Sequence, residues 1–128
     1  MNNLIIVAVD ENQVILKVLN DFLTDLGHQV YSYSCFETLK AKHPSTTPAD
    51  IIFICPDLSD GHTREIITQT HKLHPQADIV VIRNNHGLLS FEDAISNKVF
   101  AYLSKPFKLG EVELMVTRIA EKRQQLVN

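Results

Sequence analysis

Five short apolar runs, each closed by a turn signal and separated by segments of helical period, constrain this chain more than any other feature. Leu4–Val9, Ile51–Cys55 and Ile79–Ile82 are apolar at consecutive positions rather than alternate ones. A strand with one face in water would alternate, so continuous runs predict strands covered on both faces. Val99–Leu103 and the weaker run Gln29–Tyr33 complete the set of five. Between the first two, Ile15, Val18, Leu19, Phe22 and Leu26 recur at helical spacing, with Asn12 placed to cap the helix and Gly27 to stop it. Further helical patterns cover Cys35–Ala41, Thr63–Leu73 with Pro75 beyond it, Ser90–Asn97 with Ser90 and Asp93 as a capping pair, and Leu109–Gln124.

Repeated alternation of strand and helix predicts a parallel sheet with helices on both faces, joined by right-handed crossovers. The fold class is therefore α/β, doubly wound. In such sheets function sits outside the carboxyl ends of the strands, where strand order reverses. The loops that begin at Asp10, Cys55, Arg83 and Ser104 are the ones expected to carry chemistry. A chain of 128 residues suits one core, so residues 1–128 are read as a single domain.

Composition removes several classes. The net charge is −3 and both signs are scattered, which lacks the basic stripe a phosphate backbone requires, so nucleic acid is not expected as a direct partner. "LIIVAV" is too short to span a bilayer and follows no basic segment, so no membrane contact and a cytoplasmic location are expected. Cys35 and Cys55 are expected on non-adjacent strands in a reducing compartment, and hence as thiols. His71 and His74, three apart on a predicted helix, have no Cys or carboxylate placed to complete a metal set and read as surface histidines. No GxSxG-type nucleophile turn occurs, and no enzyme is expected.

The strand ends narrow the chemistry. In "VDENQ", Asp10 and Glu11 offer oxygen ligands to a hard cation such as Mg²⁺, while the same stretch equally suits helix capping. It does not suit a phosphate cradle, which needs small residues with open backbone N–H groups. In "AYLSKPF", Lys105 points into the same crevice as a point charge for an anion, although a lone lysine is more often a surface group. Lys105–Pro106 suits a tight turn and admits a cis peptide.

An acidic turn after the first strand and "KPF" after the fifth, on a five-fold β/α chain of this length, resemble the receiver domain of two-component response regulators. The resemblance runs from Leu4 to about Arg123. It implies a flavodoxin-like sheet of strand order 2-1-3-4-5, Mg²⁺ on the acidic pair and an aspartate ending the third strand as phosphoryl acceptor. It further implies a Ser or Thr ending the fourth strand and the KPF lysine as phosphate ligands, with a switch aromatic in the fifth strand. A histidine kinase or other signalling protein would be the partner. The fourth helix, fifth strand and fifth helix would carry dimer or output contacts.

Carried over by residue, Asp10 and Glu11 fit the acidic turn, with Val9 where one of the usual pair of aspartates would stand. Lys105 and Pro106 match the KPF motif, and Tyr102 matches the switch aromatic. In "DIIFICPDLSDG" Asp50 opens the third run, Cys55 falls at the acceptor position, and Asp60–Gly61 follows early. Arg83 takes the Ser or Thr position in "IVVIRNN".

A thiol is a soft nucleophile and a poor Mg²⁺ ligand, so Cys55 does not simply replace an aspartate. The expected function is a receiver-like signalling domain of degenerate type that acts through protein contacts, with Arg83 pairing Asp10 and Asp57 in place of a metal. Two alternatives stand beside it. One is a phosphorylatable receiver using Asp57 as acceptor with Mg²⁺; the other is a thiol sensor in which Cys55, near Lys105 and Arg83, oxidises reversibly. The plain reading of Cys55 is a small buried hydrophobe. No output segment is recognised, so the readout is expected from a partner or from a domain outside this chain.

Overall fold

The computed structural model describes residues 3–56, 63–83 and 99–127. Its elements are β1 (Ile5–Val9), α1 (Gln13–Asp25), β2 (Gln29–Tyr33), α2 (Phe36–Lys42), β3 (Ile51–Ile54), α3 (Thr63–Leu73), β4 (Asp78–Arg83), β5 (Ala101–Ser104) and α4 (Leu109–Val127). The helix expected over Ser90–Asn97 and the turn with Asp57, Asp60 and Gly61 lie outside the described residues. All strand pairs are parallel and the sheet order is β2-β1-β3-β4-β5. The doubly wound arrangement expected from the sequence is the one observed.

Continuous apolar runs become strands with two covered faces because successive side chains alternate across the pleat. Ile6 and Ala8 of β1, Ile51 and Phe53 of β3, Val80 and Ile82 of β4 and Leu103 of β5 pack with Leu16, Leu19 and Leu23 of α1 and Val112, Val116 and Ile119 of α4. Val7 and Val9, Ile52 and Ile54, and Ile79 and Val81 turn the other way and pack with Phe36 and Leu39 of α2 and Ile67 of α3. Each fully buried aliphatic side chain contributes roughly 1.5–3 kcal/mol relative to exposure, so these two layers dominate the stability.

Local signals set the first helix. Asn12 Oδ1 accepts from Val14 N at 2.9 Å and Ile15 N at 3.2 Å, satisfying amides that no helical carbonyl can reach. Gly27, at φ 99°, occupies the left-handed region that ends α1, and His28 N closes the motif on Leu23 O at 3.1 Å. Element ends differ modestly from expectation. β4 runs from Asp78 through Arg83, β5 starts only at Ala101, and α4 continues past Gln124 to Val127. Apolar pattern reports what is buried, whereas strand and helix ends follow backbone hydrogen bonds.

The amino end of the sheet is closed by charge. Arg123 of α4 donates from Nη1 to Asp50 Oδ1 (3.2 Å) and from Nη2 to the Asp50 carbonyl (2.9 Å), the Gln76 carbonyl and Asp78 Oδ2 (3.2 Å). Asp50 Oδ2 also accepts from Ile5 N at 2.8 Å, and Lys122 is ion-paired with Asp78. Asp50 therefore ties β1, β3 and α4 together. His74 also departs from the surface role read for it: it is half-buried, with its ring edge-on to His43 at 5.7 Å.

Candidate functional site

Strand pleat sorts the residues at the carboxyl ends of the strands into two groups. Continuing the alternation, Asp10 follows Ile6 and Ala8, Cys55 follows Ile51 and Phe53, and Lys105 follows Leu103, so all three stand on the α1/α4 side. Arg83 follows Ile79 and Val81, and Tyr102 and Ser104 share that opposite side. The contacts obey this division.

On the first side, Asp10 is 3% exposed and its Oδ2 lies 2.9 Å from Lys105 Nζ. Its Oδ1 accepts from Asn12 N at 2.9 Å, and its own amide donates to Tyr33 O at 3.2 Å. Cys55 is held beside it, because Cys55 N donates to Val9 O at 2.9 Å and Val9 is paired with Ile54. Burial lowers the Lys105 pKa, but its hydrogen bond to Asp10 and the sulfur of Cys55 outweigh that and raise it above the usual lysine value. The ammonium thus lies between a buried carboxylate and a thiol. Both cysteines are thiols, Cys35 exposed and Cys55 half-buried.

On the second side, Arg83 Nε donates to Ser104 Oγ at 3.0 Å and its guanidinium carbon lies 5.3 Å from the Tyr102 ring centroid. Among the described residues the cation that reaches Asp10 is Lys105, in place of the expected Arg83. Parity is the reason: Arg83 leaves β4 on the face away from Asp10. Lys105 reaches the crevice because its amide continues the ladder to Arg83 O at 2.9 Å, ahead of a cis Lys105–Pro106 peptide. Glu11 is exposed, and Asp57 lies outside the described residues.

Among the described residues the donors assembled here do not by themselves make a Mg²⁺ site. A hard divalent cation takes several oxygen ligands. Among the described residues the crevice supplies one buried carboxylate, already engaged by a lysine and an amide, and a thiol unsuited to Mg²⁺. No group of three or more His, Cys, Asp or Glu side chains able to hold a metal occurs among the described residues.

No protein-family model matches the chain. The DNA-binding transcriptional regulator NtrC of Azospirillum brasilense is 28% identical over 113 residues, which is 88% of this chain and 23% of that protein. The chain thus spans less than a quarter of the length of this relative. A response regulator receiver domain protein from Clostridium thermocellum superposes with a TM-score of 0.80 at 18% identity, over 96% of this chain and 98% of that one. The fold is that of a response-regulator receiver domain. An adenylate cyclase structure from Rhodopirellula baltica superposes with a TM-score of 0.83 at 17% identity, over 98% of this chain and 93% of that one, which at such identity speaks to the shared fold alone. Other structural neighbours are mainly receiver domains.

Within this receiver fold, sequence reasoning placed Asp10, Cys55, Tyr102 and Lys105 at one end of the sheet and missed two partners. Ser104 holds Arg83, and the Asn12 amide holds Asp10. Ser104 was findable by counting parity from Tyr102. The Asn12 amide was only partly so: the stretch suits helix capping, but the sequence does not say that Asp10 takes this main-chain donor while also meeting Lys105.

Proposed function

We propose that the chain is a receiver-type domain of two-component or phosphorelay signalling that does not use aspartyl phosphorylation in the usual way and acts through protein–protein contacts. The observation that carries this reading is Cys55 beside Asp10 and Lys105, where the third strand of a receiver would deliver its acceptor carboxylate. Acyl-phosphate formation in that position requires a carboxylate nucleophile and cation neutralisation of the incoming oxygens. Here the nucleophile is a thiol and Lys105 already neutralises Asp10. The domain is set by its ion pair rather than by a metal.

Its partner is a signalling protein such as a histidine kinase or an effector, met on the surface that includes β5 and α4, which also offers a dimer contact. Exposed Leu109 and Leu114 of α4 supply apolar area there. This reading gives the domain no catalysis and no direct contact with nucleic acid or membrane, takes its readout from a partner or from a domain outside this chain, and places it in the cytoplasm. Among the described residues no helix is long and apolar enough to cross a membrane.

The test is incubation of the full chain with acetyl phosphate and Mg²⁺, followed by intact mass and peptide mapping. No phosphoryl adduct is expected. A base-labile adduct at Asp57 that disappears in Asp57→Asn would replace this reading with that of a phosphorylatable receiver, and an adduct on Cys55 would equally overturn it.

A further inference from the structure

Away from the crevice, three elements meet around two histidines. His43, just after α2, bonds through Nδ1 to the Tyr33 hydroxyl and through Nε2 to the Thr47 carbonyl, both at 2.8 Å. A carbonyl only accepts, so Nε2 carries the proton; in the neutral ring Nδ1 then accepts from Tyr33. Tyr31 and Tyr33 of β2 meet the His43 ring edge-on, with centroids 5.0 and 5.8 Å away. His74, just after α3, completes the cluster with its ring 5.7 Å from His43.

We propose that the His43–His74 contact is an acid-operated latch, in which protonation drives the two rings apart and releases the turn between α3 and β4 from the end of α2. Two half-buried imidazoles in ring contact cannot both charge without repulsion and without losing hydration. Burial holds the His74 pKa below the usual histidine value and His43 lowers it further. The groups around His74 offer its imidazolium little relief. His43 faces it, the tyrosines of β2 stand behind His43, and His71 and Lys72 occupy the last turn of α3. No carboxylate among the described residues is ion-paired with it.

The mechanical link is short. His74 N closes on Thr70 O at 2.9 Å, and Ala77 N closes on His74 O at 3.1 Å. Gln76 in the same turn gives its carbonyl to Arg123. Displacing His74 therefore loosens the turn and removes an acceptor from the clamp on α4. Cytoplasmic acidification is the input such a latch would read.

Imidazole NMR titration and amide exchange of the full chain test this. His74 is expected to bind its proton more weakly than an unstructured histidine, because burial and the facing His43 both disfavour its charged form. Amides of His74, Gln76 and Ala77 should exchange about tenfold faster at pH 5 than at pH 7.5, after correction for intrinsic rates. His74→Gln should abolish that acid response. His43→Gln should strengthen proton binding at His74, which reads the same contact from the other ring. Titration of His74 like an unstructured histidine, or an acid response unchanged in His74→Gln, would overturn the proposal.

Discussion

The two ends of the sheet both bury charge, but they hold it differently. At the carboxyl end, Asp10 and Lys105 form a pair with the carboxylate 3% exposed. At the amino end, Arg123 and Lys122 share Asp50 and Asp78, with side chains 17–43% exposed and two backbone carbonyls among the acceptors. A deeply buried pair depends on each partner to cancel the other, since an uncompensated buried charge costs more than the pair contributes. A half-exposed network spreads the loss over several hydrogen bonds and water. Deletion should therefore be severe but mutually rescuable at one end, moderate and not rescuable at the other.

The largest effect is expected from Lys105→Met, which leaves Asp10 buried without its cation and should cost about 3 kcal/mol in urea unfolding. Adding Asp10→Asn should recover most of that loss, because the amide oxygen still accepts from Asn12 N; failure of the double variant to recover would break the contrast. Arg123→Met should cost about 2 kcal/mol, and Asp50→Asn on top should give no rescue, since the Asp50 and Gln76 carbonyls stay without their donor. Arg83→Lys, which loses the guanidinium over the Tyr102 ring and the Nε bond to Ser104, should cost about 0.5–1 kcal/mol and alter tyrosine fluorescence.

The pH dependence sharpens the same comparison. Because the folded-state pKa of Lys105 is raised, its contribution is complete below the ordinary lysine value and is lost as pH rises through the folded value. Unfolding free energy should fall in that alkaline range for the wild type, and the part due to this pair should vanish in Lys105→Met. In acid the sign differs. His28, which accepts from Leu4 N at 3.1 Å, is held below its usual pKa by burial. Its contribution is present above the ordinary histidine value and fades as pH falls through the lowered one. His28→Gln should remove a small part of the acid slope in unfolding free energy.

Much of the fold was legible because strand burial and helix period write themselves into side-chain type: β1 and β3 are apolar at nearly every position, and α1 carries both its cap and its stop. The candidate site was legible in its members and less so in its pairing. Asp10, Cys55 and Lys105 were placed together, while Arg83 was given the role that Lys105 fills, because ends of strands were treated as one cluster rather than two faces. The amino-end clamp was invisible: Asp50 looked like the lead to an acceptor, and nothing in "EKRQQ" singles out Arg123 from its charged neighbours. Its importance comes from contact with residues remote in the chain, which local pattern does not encode.

That remoteness has a consequence for how the chain is made. Arg123 and Asp50 are separated by 73 positions. During synthesis β1, β2 and β3 emerge well before the residue that neutralises Asp50, so the nascent sheet carries an unpaired carboxylate and an uncovered α4 face until α4 leaves the ribosome. Docking of α4 is then both the final layer of apolar cover and the arrival of the counter-charge, so a stalled or truncated chain lacking Arg123 should be held by chaperones rather than fold.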